Sequence, residues 1–124
     1  MKQIAIARGR YLRHSPQKSK LVLDQIRGKG VEDAFHFLKF CRRAVARDVE
    51  KILKSAVANA QINLQNDKDL RDARIDTDDM FVSLADVGPG PSLKRWRARA
   101  RGRATRILKR TAHITVGVGL QDNE

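Results

Sequence analysis

Apart from a short alternation at Ile4 and Ile6 that ends at Arg8, apolar positions up to about residue 66 recur with a helical period, and those beyond it with period two. A first helix is expected from Ser15-Pro16, Ser capping the free N–H groups and Pro taking the first helical position, where its missing N–H costs nothing. Leu21, Val22, Leu23 and Ile26 form its apolar side, and Gly28-Lys29-Gly30 stops it. A second helix fits Val31 to Phe40, with Val31, Ala34, Phe35 and Leu38 at the spacing i, i+3, i+4, i+7. The third carries the clearest pattern. From about Arg43 to Asn63, Val45, Val49, Ile52, Leu53, Ala56, Val57 and Ala60 share one face, while Arg47, Lys51 and Lys54 point elsewhere.

Two strands follow. MFVSLADV, residues 80–87, is rich in strand-favouring residues and lies between an acidic stretch and the turn signal GPGP. HITVGVGL, residues 113–120, places Ile114, Val116, Val118 and Leu120 on one face and His113, Thr115, Gly117 and Gly119 on the other. With the Ile4/Ile6 alternation as a third strand and the helices in one block, the pattern predicts an α+β fold, a three-stranded antiparallel sheet packed on three helices. At 124 residues the chain is one domain by length, and no internal repeat or low-complexity linker divides it.

Between the last two strands lies a connection far longer than a hairpin turn needs, from Gly88 to about Thr111. It is read as a protruding arm spanning about residues 84–112, with Gly88-Pro89-Gly90-Pro91-Ser92 as the rigid bend that launches it. Residues 93–110 hold nine basic side chains and no acidic one. Arg95, Arg97, Arg99, Arg101 and Arg103 share one parity, and Trp96, Ala98, Ala100, Gly102 and Ala104 the other. In an extended chain this sets a row of guanidinium groups roughly 6.6 Å apart on one side. Guanidinium groups bond phosphate oxygens in bidentate fashion and are always charged, so the row reads as a phosphate-tracking rail. Trp96 is either a small packing contact or a base-stacking platform.

The net charge of +12 is unevenly spread. Residues 1–31 carry eight cations against Asp24 alone, residues 32–87 are slightly acidic, and residues 88–121 hold nine cations and no acid. A near-neutral scaffold with two basic ends points to nucleic acid as partner. A membrane-surface helix would need an apolar face that the arm lacks until Ile107 and Leu108. The N-terminus has no continuous apolar stretch of the signal-peptide kind, and no run of eighteen apolar residues exists. The lone Cys41 cannot form an internal disulfide, and the chain reads as intracellular.

Catalytic and metal chemistry find little support. His14, His36 and His113 are scattered, without a nucleophile at recognisable spacing. Asp67, Asp69 and Asp72 begin like a calcium loop, but Asp72 stands where that loop needs Gly and no Glu closes it. The GPGPS bend lacks the Gly-Lys-Ser/Thr ending of a phosphate-binding loop. A sequence-tolerant DNA-compacting protein remains an alternative to RNA binding, although DNA readers tend to present a recognition helix or a symmetric arm, and here the helices are nearly neutral and the arm is single.

Three blocks, SPQKSKLVLDQIRGKGVEDA (15–34), VEKILKSAVANAQIN (49–63) and GPSLKRWRARARGRATRILKRTAHITV (90–116), resemble the signature blocks of the twenty-second large-subunit ribosomal protein family, bacterial type, in the right order. The resemblance implies a structural, non-enzymatic constituent of the large ribosomal subunit, with a long β-hairpin reaching through ribosomal RNA to the wall of the nascent-peptide exit tunnel. It implies RNA contacts by Arg8, Arg10, Arg13, Lys18 and Lys20 beside the globular part, and by Lys94, Arg95, Trp96, Arg97, Arg99, Arg101, Arg103, Arg106, Lys109 and Arg110 along the arm. Leu93, Lys94, Arg95 and Trp96 would form the tunnel-wall tip. Implied partners are large-subunit ribosomal RNA, neighbouring large-subunit proteins and the nascent polypeptide, with no cofactor, metal, membrane or small-molecule substrate. The expected location is the cytoplasmic ribosome, an organellar ribosome staying open. The chain departs from the family pattern where Gly88-Pro89 replaces an acidic pair at the arm's base, where Ala98 replaces a Pro, and at Gln61, where Glu is usual.

Overall fold

Along the chain the elements are β1 (Lys2–Leu12), α1 (Pro16–Ile26), α2 (Val31–Phe40), α3 (Val45–Asn66), β2 (Met80–Pro89), β3 (Leu93–Ala98), β4 (Ala104–Lys109) and β5 (Ala112–Leu120), in a computed structural model that describes residues 2–66 and 79–120. The acidic stretch holding Asp67, Asp69 and Asp72, weighed as a calcium site, lies outside the described residues. Among the described residues no helix is long and apolar enough to cross a membrane.

The most regular alternation in the sequence occupies the centre of the sheet. β5 pairs antiparallel with β1 on one side and β2 on the other, giving the order β1-β5-β2. Ile114, Val116 and Val118 are fully buried beneath the helices, with Leu120 partly buried at the strand's end. α3 lies across β1 and β5, and α1 against β2. Val49, Leu53, Ala56 and Ala60 of α3 are completely shielded from solvent. Burying each Leu, Ile or Val side chain of such a core stabilises the fold by roughly 1.5–3 kcal/mol.

Several local expectations change. The alternation at Ile4 and Ile6 does mark a strand, but Ala5 and Ala7 are the residues buried in the core, while Ile4 and Ile6 are only half-buried. α3 packs closely on this strand: a Cβ on Gly9 would stand 2.6 Å from Ile52 Cδ1, so the Ile52 side chain would have to shift. The strand also runs on to Leu12, through Arg8 and Arg10. Leu21, assigned to the apolar side of α1, is 50 % exposed. Ser15 precedes α1 as expected, yet its side chain makes no capping bond; instead Ser19 Oγ donates to Ser15 O at 2.9 Å.

Both outer strands of the three-stranded sheet are bonded along part of their free edges. On β1, Asn59 and Asn63 of α3 donate side-chain N–H groups to the carbonyls of Ile6 and Ile4, at 3.2 and 3.1 Å. On β2, the Gly28-Lys29-Gly30 turn pairs with Val82 in both directions, Gly28 N to Val82 O at 3.0 Å and Val82 N to Lys29 O at 2.9 Å. Gly28 adopts φ +83°, a left-handed conformation that suits Gly. Arg27 adds a guanidinium bond to Ala85 O and a 2.8 Å ion pair with Asp24.

Candidate nucleic-acid interface

The arm begins where β2 and β5 part. Gly90 N donates to Thr111 O at 3.0 Å, and Thr111 Oγ1 donates to Pro91 O at 2.7 Å. A side chain on Gly90 would collide with Thr111 Oγ1 and lie 3.1 Å from His113 Nε2, so the bend depends on a bare backbone. β3 and β4 then form a separate two-stranded ribbon, from Leu93 opposite Lys109 to Ala98 opposite Ala104. Every residue of β3 and of the turn is exposed, and along β4 only Ile107 and Leu108 are half-buried.

The ribbon reverses direction at Ala100–Gly102, where Arg101 and Gly102 take φ values of 62° and 71°. Arg99 N donates to Arg103 O at 2.6 Å and closes the turn. This corrects the expected tip: Leu93, Lys94, Arg95 and Trp96 belong to the outgoing strand next to the bend, and the far end is Ala100–Gly102. It also shortens the expected rail. Arg95 and Arg97 share a ribbon face, opposite Ile107 and Thr105, but Arg99, Arg101 and Arg103 fall in the turn, where left-handed backbone ends the strand's parity. The other face carries Lys94 opposite Leu108 and Trp96 opposite Arg106. Cations thus occupy both faces, and Trp96 is 67 % exposed.

The fold brings the two basic ends of the sequence together at the arm's base. Arg13, His14 and Ser15 line a cleft of about 390 Å³ with Leu93, Leu108, Lys109, Arg110 and Thr111. A second cleft of about 270 Å³, sharing His14 and Ser15, is completed by Lys18, Arg43, Ala44 and Val45. His14, in the wall common to both, is held by Asp48, Nε2 to Oδ2 at 2.5 Å. Five cationic side chains from three separate segments therefore surround adjoining recesses able to seat anionic groups. Arg8, Arg10 and Lys20 are exposed but line neither cleft. Arg43 and His14 were not singled out in the sequence as lining a basic cleft, since the middle segment is near-neutral and the histidines are scattered.

Tyr11 was missed as well. Arg10 and Tyr11 stand against His113 alone, because the pairing shifts register between Gly9 and Leu12. At this bulge Tyr11 has φ 58°, a left-handed conformation that costs a bulky residue about 1–3 kcal/mol. Its N–H donates to His113 Nδ1 at 3.0 Å, and the two rings meet edge to face with centroids 4.8 Å apart. Tyr11 is 64 % exposed. The one available sequence signal was an aromatic residue set among Arg8, Arg10 and Arg13.

Comparison with known proteins agrees with this architecture. Residues 7–119 match the family described as Ribosomal protein L22p/L17e. The chain is 53 % identical over 116 residues to the large ribosomal subunit protein uL22 of Magnetococcus marinus, covering 94 % of this chain and 95 % of that one. It is 47 % identical over 117 residues to uL22 of Ligilactobacillus salivarius, with 94 % of each covered. Against uL22 of Syntrophus aciditrophicus it is 48 % identical over 112 residues, or 90 % of this chain and 94 % of the other. With the match running from the first strand through the arm to the last, the chain belongs to the ribosomal protein L22p/L17e family.

Proposed function

We infer that this protein is a structural constituent of the large ribosomal subunit, bound to its ribosomal RNA through the arm and the basic clefts at the arm's base. Supporting this most directly is the ribbon itself, which carries nine cations between residues 93 and 110, no acid and almost no buried side chain. A two-stranded ribbon of that kind has little to hold it in water. Phosphates neutralise its cations and RNA walls supply the contacts it lacks. The globular part anchors the protein, and the arm reaches inward as a wedge between RNA segments, supporting subunit assembly and translation.

The far end, Ala100–Gly102 with Arg99 and Arg103, lies in the wall of the nascent-peptide exit tunnel, and the growing polypeptide passes it. Arg8, Arg10, Arg13, Lys18 and Lys20 contact RNA beside the globular part, and neighbouring large-subunit proteins adjoin it. The ribosome concerned is the cytoplasmic one. No catalytic step belongs to this role.

Sedimentation of cell extract through a high-salt sucrose gradient tests the reading, with mass spectrometry following this chain. Retention with large subunits is expected, because a protein threaded through RNA resists the salt that strips simple phosphate binders. Release to the top of the gradient, or co-migration with DNA, would overturn it in favour of a DNA-compacting role.

A further inference from the structure

We propose that Tyr11 is a stacking platform for an unpaired nucleobase of large-subunit ribosomal RNA, an inference that rests on the RNA-binding reading above. Tyr11 sits at a β-bulge, a feature that re-aims side chains beside functional sites. A left-handed position of this kind is met without strain by Gly, and what Gly lacks is the ring. That ring is fixed from behind: the Tyr11 N–H is bonded to His113 Nδ1, and His113 packs against the ring at an interplanar angle of 87°. An edge-to-face pair takes at most one face of the Tyr11 ring, and with the residue 64 % exposed there is surface left for a base.

The surroundings select the ligand. Arg8, Arg10 and Arg13 are all exposed around Tyr11 in sequence, and Arg13 lines the larger cleft with Lys109 and Arg110. An apolar protein partner would find cations where it needs hydrocarbon. A nucleotide offers both required parts, a flat base for the ring and flanking phosphates for the guanidinium groups. Stacking onto a ring already held in place needs little further ordering of the side chain.

The test is binding of the full-length protein to transcribed large-subunit ribosomal RNA over a range of salt concentrations, for the wild type and for Tyr11→Phe, Tyr11→Leu and Tyr11→Gly. Tyr11→Phe should bind like the wild type. Tyr11→Leu and Tyr11→Gly should bind roughly 5- to 150-fold more weakly, the range expected for one lost base–aromatic stack. Their salt slope should be unchanged, since no phosphate contact is removed. Tyr11→Gly should also melt at or above the wild-type temperature, which separates loss of the platform from loss of the fold. Wild-type affinity in both the Leu and Gly variants would overturn the proposal, as would a flattened salt slope, which would mean that Tyr11 acts by positioning its arginine neighbours. If the wild type itself shows no salt-dependent RNA binding, the RNA reading falls and takes this proposal with it.

Discussion

His14 Nε2 lies 2.5 Å from Asp48 Oδ2, joining the segment that leaves β1 to the first turn of α3. A carboxylate in the first turn of a helix is favoured by the helix dipole, so Asp48 is well placed whether or not the imidazole carries a charge. By holding His14 in the wall between the two basic clefts, it fixes the shape of both. Asp48→Ala should therefore lower stability by about 0.5–1.5 kcal/mol, the net worth of one partly buried hydrogen bond. Asp48→Asn, which keeps an acceptor, should lose less. Urea denaturation of the three proteins at neutral pH measures the difference.

The turn of the arm should fail without disturbing the rest. Gly102 has φ 71°, and a β-branched side chain there would strain the backbone by about 1–2 kcal/mol. In Gly102→Val, amide signals of Arg99 and Arg103 should lose dispersion while those of β5 stay in place. Thermal unfolding of the globular part should be unchanged, because no residue from Leu93 to Arg106 is buried.

Salt dependence should distinguish the clefts from other basic positions. Arg13→Gln, Lys109→Gln and Arg110→Gln should each flatten the plot of log affinity for ribosomal RNA against log salt by roughly 0.7–0.9, the effect of one phosphate contact. Lys54→Gln should leave the slope alone, since Lys54 lies 3.6 Å from Glu50 on α3 and lines neither cleft. Equal slopes for all four variants would place the RNA elsewhere.

Trp96 is the sole tryptophan and lies outside the core, so its fluorescence reports on the arm alone. Emission from the free protein should be that of a solvent-exposed indole and change little as the globular part melts. Addition of ribosomal RNA should quench or blue-shift it. Trp96→Ala should move stability by no more than about 0.5 kcal/mol, as for other surface positions free of special contacts.

Helix positions were legible because α2 and α3 carry a repeating apolar face, and period alone placed Val49, Leu53, Ala56 and Ala60 inward. The inner face of β1 was not, since a pattern reading gives the core to the larger side chains and cannot know how closely α3 approaches. Ala5 and Ala7 are the ones that join the core, so side-chain size misassigned the strand's faces. In the arm, five arginines of one parity suggested an unbroken strand, and Gly102 was read as one of the small residues of its other face. Ribbon composition revealed the charge, but only the register separated Arg95 and Arg97 from the turn. The clefts were invisible in sequence, as they join Arg13, Lys18, Arg43 and Lys109 from segments that meet only in the folded chain.

The amide bonds from Asn59 and Asn63 to β1, and the Gly28-Lys29 pairing with Val82 on β2, bear on the interval between synthesis and incorporation. A sheet with open borders invites strand addition by other copies, which is how newly made β-proteins begin to aggregate. Here part of each border, at Ile4 and Ile6 on β1 and at Val82 and Ala85 on β2, is engaged by the chain's own groups before any RNA is present. Two free copies meet as bodies of charge +12, and the repulsion between them opposes pairing through the free edges of the β3–β4 ribbon. The sheet is thus guarded by its own side chains and turn, and the arm by its charge, until RNA neutralises it.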